Sequence, residues 1–152
     1  MIRLSKNFLL SDFTKSSTAV RLGIDNTAPQ DVLHNLEDLV ALILQPLANE
    51  FGQVTINSGY RSPALNKAVG GAGSSQHLKG LAADIEVPGM SNYDLACHIQ
   101  DNYKFDQLIL EFYTPGDETS GWVHVSIAGS GGKNRNEALT IGKTIRRKGI
   151  HR

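Results

Sequence analysis

FDQLILEFYTPGDETSGWVHVSI, residues 105–127, is two apolar runs joined by a turn-rich loop. FDQLILEFY (105–113) and WVHVSI (122–127) carry the aliphatic and aromatic residues that favour strands. TPGDETSG (114–121) carries the proline, glycine and small polar residues that interrupt them. The pattern predicts a β-hairpin. Working outward, QVTINSGY (53–60) alternates as a strand and LAADIEV (81–87) is a further apolar strand, with QHL (76–78) a brief extended piece before it. The first third reads differently. Val32, Leu36, Leu39, Val40, Ile43 and Leu47 recur at helical spacing, with Pro29 near the start, Pro46 as a kink and Gly52 as the stop. SDFTKSSTAVRLG (11–23) reads as one short helix, RSPALNKAVGG (61–71) as a turn and a short helix, and SNYDLACHIQDNY (91–103) as a helix capped by Ser91. Helices come first and strands mostly later. The class is therefore α+β, with a small, mostly antiparallel sheet flanked by helices.

The chain has 152 residues, enough for a single domain that buries roughly 70% of its unfolded surface without staples. Its formal net charge of zero argues against nucleic acid or an anionic membrane as partner. Charge is unevenly spread: Lys143, Arg146, Arg147, Lys148 and Arg152 crowd the last ten residues without an acid. Residues 133–152 are thus expected as a basic tail, either touching an anionic polymer or merely solubilising, with the second as the default. One cysteine, Cys97, rules out an internal disulfide and a cysteine-rich zinc site. No stretch approaches the ~20 apolar residues of a membrane span, and the N-terminus lacks the features of a signal peptide. The expectation is a monomer made as a soluble cytoplasmic species.

Five histidines are present. His34 and His98 read as ordinary helix residues and His151 as part of the tail. His77 and His124 stand apart. His77 precedes Gly80 and a carboxylate, Asp84, set in an apolar strand; His124 sits between two valines. A buried carboxylate is costly unless it meets a cation. Two imidazoles and one carboxylate match an open catalytic zinc site, which takes three protein ligands and keeps a fourth position for water. Spacing alone leaves this reading level with paired or core residues.

Ser75-x-His77-x-x-Gly80-x-Ala82-x-Asp84 resembles the SxHxxGxAxD pattern of zinc D-Ala-D-Ala carboxypeptidase-like enzymes, the M15 peptidase family. WVHVS (122–126) resembles that family's closing histidine strand, and SGYRSPALN (58–66) its upstream arginine segment. The similarity spans about residues 4 to 130 and is nearest the short single-domain branch of phages and bacteria. The resemblance implies a Hedgehog/D-Ala-D-Ala peptidase-like fold over residues 1–152. It implies Zn2+ held by His77, Asp84 and His124, and hydrolysis of peptidoglycan stem peptides, at D-Ala-D-Ala or L-Ala-D-Glu bonds. It also implies that Arg61 contacts a substrate carbonyl or carboxylate. Such a chain would act on the wall after phage lysis or another route of release.

Peptide hydrolysis needs a carboxylate to take a proton from the attacking water. Relatives often place it just before the closing histidine, but here the position three before His124 is Gly121. Glu111, ending FDQLILE, is the expected catalytic acid instead. If strand residues pair so that their numbers sum to 235, Glu111 lies opposite His124 with Cβ atoms about 5 Å apart. Asp117 and Glu118 are the runners-up. Ser75, Gln76 and Trp122 are expected to contact substrate, with Tyr60 and Tyr113 as weaker candidates. The missing acid at Gly121 also leaves open a different class, a non-catalytic zinc-stabilised wall-binding module.

Overall fold

A computed structural model describes all residues, 1–152. The order is α1 (Leu10–Thr14), α2 (Ser17–Leu22), α3 (Gln30–Leu39), a π-helical turn (Val40–Leu44), α4 (Gln45–Phe51), β1 (Thr55–Ser58), α5 (Pro63–Ala68), a 3-10 turn (Gln76–Lys79), β2 (Ala82–Glu86), α6 (Asn92–Asn102), β3 (Gln107–Glu111), β4 (Trp122–Ser126), β5 (Glu137–Ile141) and β6 (Arg146–Lys148). The fold is α+β, and no helix is long and apolar enough to cross a membrane.

The six strands run in the order β1-β2-β4-β3-β5-β6, all antiparallel except the parallel β3–β5 pair. Strand side chains alternate between faces, and the two faces of this sheet are chemically distinct. Ala83, Ile85, Leu108, Leu110, Val123 and Val125 join the hydrophobic core with Leu36, Leu39, Ile43, Leu44 and Leu47 of the long helical segment. Asp84, Ile109, Glu111, Trp122 and His124 fall on the opposite parity. The core thus packs one face and leaves the other for chemistry.

Four expectations are corrected. Residues 11–23 form two helices, because Lys15 and Ser16 are extended and Ser16 Oγ accepts from Ala19 N, 3.1 Å, starting a new helix. QHL is a 3-10 turn rather than an extended piece: Ser75 caps it and Gly80, at φ +72°, ends it. The basic tail is not a loose appendage, since residues 137–148 supply β5 and β6. β3 needs a partner on its free edge, and the alternating EALTI run provides one. His151 is tied down as well, its amide donating to Thr140 Oγ1. Finally, the hairpin register is Glu111 opposite Trp122 and Ile109 opposite His124, a sum of 233. The cause lies at the loop. A Cβ on Gly121, at φ +70°, would stand 2.1 Å from the Glu111 carbonyl oxygen, and Phe112 takes φ +55°, so the chain closes tightly straight after the strand. The shift is two residues, which keeps Glu111 on the face of His124.

The predicted kink at Pro46 takes a particular form. The helix widens to a π turn at Val40–Leu44, ending two residues before Pro46, which has no backbone hydrogen to give.

Candidate active site

β2 and β4 pair with Asp84 opposite His124. The 3-10 turn carries His77 over the same face. Gly80 lets that turn lie against the long helix, because a Cβ there would be 2.8 Å from Val32 Cγ1. Three donor atoms converge as a result. His77 Nε2 is 3.3 Å, and His124 Nδ1 3.1 Å, from Asp84 Oδ1. The three residues form a cluster whose donor atoms all lie within 4.8 Å of one another.

His77 is oriented from behind. Its Nδ1 lies 2.7 Å from the Gly59 carbonyl oxygen, which only a protonated Nδ1 can satisfy, so the Nε2 lone pair faces Asp84. The backbone N of Arg61 in turn donates to the His77 carbonyl, 3.1 Å. His77 is buried and His124 nearly so. Burial alone would raise the Asp84 carboxyl, but hydrogen bonds and charge from His124 and His77 outweigh it and hold the group well below the usual carboxylate range.

The donor set fits a divalent metal. With metal–nitrogen bonds of about 2.0–2.1 Å, ligand atoms at tetrahedral corners stand about 3.3 Å apart, and the two measured separations match that edge. His124 Nε2 and Arg61 Nε are buried without a partner in the protein.

All eight predicted site residues line one cleft of about 660 Å3. Arg61 is partly buried at one end; desolvation lowers its pKa, with Asp84 and Glu111 opposing. Its Nη1 would stand 2.9 Å from a Cβ on Gly71, so the glycine-rich stretch packs against the guanidinium. Glu111 accepts the Trp122 Nε1 hydrogen at Oε2, 2.9 Å. Burial and the charge of Asp84 push its pKa above the ordinary glutamate value, against the pull of His124, Trp122 and His77. Ser75 Oγ accepts from His77 N, 3.3 Å. Gln76 donates its amide to Asp106 Oδ2, 2.9 Å, and so braces the turn as well as lining the cleft. Tyr60 and Tyr113 lie outside this cleft, as do Asp117 and Glu118, which sit exposed on the hairpin loop.

Sequence reasoning missed the Gly59 carbonyl, Gln107 and Ile109 on the cleft floor, and Arg135 and Arg146 on its wall. Strand alternation along QLILE puts Gln107 and Ile109 on the face of Glu111. The arginines had no such signal without knowledge that the tail joins the sheet.

The profile described as Peptidase M15 matches residues 6–126. The chain belongs to the peptidase M15 family. A zinc D-Ala-D-Ala carboxypeptidase of Streptomyces albus G is 32% identical over 92 residues, 59% of this chain. The match covers 34% of that M15 relative, so this chain spans only about a third of its curated counterpart's length.

Proposed function

We propose that this M15 chain is a zinc metallopeptidase that hydrolyses peptide bonds in bacterial peptidoglycan stem peptides, at D-Ala-D-Ala or L-Ala-D-Glu bonds. The reading takes residues 1–152 as one peptidase domain working as a monomer on the cell wall, reached by phage lysis or another route of release. The observation that carries it is the convergence of His77 Nε2, Asp84 Oδ1 and His124 Nδ1 in a cleft that also holds Arg61 and Glu111.

In this reading His77, Asp84 and His124 hold the ion, and Gly59 fixes the tautomer of His77. Zinc held there would supply Lewis acidity and lower the pKa of water from its bulk value to about 7. Glu111 takes the proton from the attacking water and returns it to the leaving amine. Its raised pKa suits both halves of that task. Arg61 grips a substrate carboxylate or steadies charge developing on the carbonyl oxygen. Ser75, Gln76 and Trp122 contact the peptide along the cleft walls. Gly121 does not weaken the enzyme reading: a side chain there would meet the Glu111 carbonyl, and the acid comes from the neighbouring strand.

The test is mass analysis of fragments from purified peptidoglycan, with and without chelator, for wild type and Glu111→Gln. The expected result is chelator-sensitive release of defined stem fragments by wild type alone. Zinc binding and wall binding without any cleavage would overturn the reading in favour of a non-catalytic wall-binding module.

A further inference from the structure

The strand pairings set four residues in one row across the chemical face. Trp122 stands opposite Glu111, Glu111 opposite Ile141, and Ile141 opposite Arg146. Partners in a row share a face, so the first residue of β6 points the same way as the proposed base, two strands away. At the ordinary strand spacing that is about 10 Å. Arg146 lines the cleft. It makes no ion pair, whereas Arg135 in the same wall is bound to Asp106 by Nη2–Oδ2 at 2.8 Å. Across the sheet, Arg61 follows β1 at the opposite end. The cleft therefore runs from one arginine to another, with Asp84 on β2, His124 on β4 and Glu111 on β3 between them. Arg146 also lies beyond residue 126, where the match to the family profile stops.

The geometry points to Arg146 as a specificity residue that binds a second carboxylate on the peptide substrate, at the far end of the cleft from Arg61. This rests on the peptidase reading and adds the substrate class: an acidic peptide lying across the strands, with a free carboxylate about three extended residues from the acid on β3. An unpaired guanidinium is suited to that group because its planar fork can bind both carboxylate oxygens. Ile141 between Glu111 and Arg146 offers no competing charge.

The test uses matched wall stem peptides in which each free carboxylate is replaced in turn by a carboxamide. For one position, wild type prefers acid over amide, and Arg146→Gln lowers that ratio of kcat/KM roughly tenfold, as expected for the loss of one charge-assisted contact. Arg146→Lys restores part of the preference, which also controls for folding. An acid-to-amide ratio that Arg146→Gln leaves unaltered at every position overturns the proposal. Calorimetric binding of the same peptides to the zinc-loaded chain separates it from the parent reading. An Arg146-dependent acid preference without turnover retires the peptidase function and keeps the subsite; equal binding of acid and amide forms retires the subsite.

Discussion

Trp122 and Glu111 face each other across the central hairpin, and the indole donates its Nε1 hydrogen to the Glu111 carboxylate at 2.9 Å. The contact aims the acid along the cleft and favours its ionised form. Glu111 accepts a proton only when ionised, and burial together with Asp84 raises its pKa above the ordinary value of 4.5. Under the proposed role of Glu111 as base, activity is expected to fall as pH drops through a point above 4.5. Trp122→Phe removes an interaction that lowers the pKa, so the acid limb of the kcat/KM profile moves to higher pH. Glu111→Gln lowers kcat by about 10²–10⁴ with zinc content unchanged, as metal analysis alongside kinetics will report.

His77, Asp84 and His124 are expected to act as one ligand set. His77→Ala or Asp84→Asn reduces bound zinc from one equivalent to a small fraction. In the wild type, free zinc at a hundred times its Kd adds about 2.7 kcal/mol of stability, which raises Tm by roughly 5–10 °C for a chain of this size. Thermal scans with zinc and with chelator give the readout.

Asp106 is buried and accepts from the Arg135 side chain, the Arg135 amide and Gln76. Hydrogen bonds from Arg135 lead in lowering its pKa, against the opposing effect of burial. A depressed carboxyl stabilises the fold above its unfolded pKa of about 3.9, and that contribution disappears as pH falls through the lower folded value. Asp106→Asn is expected to cost about 2–3 kcal/mol at neutral pH and to flatten the acid side of the stability curve, measured by urea unfolding across pH.

Gly121→Ala sets a methyl group against the Glu111 carbonyl at a backbone angle that disfavours any side chain. The hairpin must shift, and about 2 kcal/mol or more of stability goes with it. Because the displaced group belongs to Glu111, kcat is expected to fall too under its proposed role. A variant of wild-type stability and full activity would contradict the packing described.

A chain ending at Ala128 lacks β5 and β6 and uncovers the edge of β3. Leu108 and Leu110 then sit on an open strand beside unpaired backbone groups. Aggregation at micromolar concentration is expected in light scattering, where the full chain stays dispersed.

Much of this architecture could be read from residue patterns. Alternation and punctuation marked β1 to β4, and the Ser91 cap opens α6 as expected. The His77–Asp84–His124 cluster was half legible: a carboxylate and an imidazole inside apolar strands demand a reason, and the family resemblance pointed to a metal. Register was harder. Nothing in TPGDETSG announces that Gly121 will pack onto Glu111, so the pattern alone does not tell a pairing with His124 from the actual pairing with Trp122, two residues away. The 3-10 turn at Gln76 escaped notice because a four-residue segment has no periodicity to detect. Residues 137–148 were missed for another reason: their charge outweighed the short alternation of EALTI, and only a vacant edge on β3 turns that run into a strand.

One consequence of the β2–β4 pairing concerns timing. His77 and Asp84 are seven residues apart, but His124 reaches Asp84 from 40 positions downstream. While the polypeptide is still emerging or collapsing, no neighbourhood offers an ion the full trio of donors. Tight uptake of zinc under the proposed ligand set must await zippering of the central strands, so the ion seals a finished scaffold and does not nucleate it.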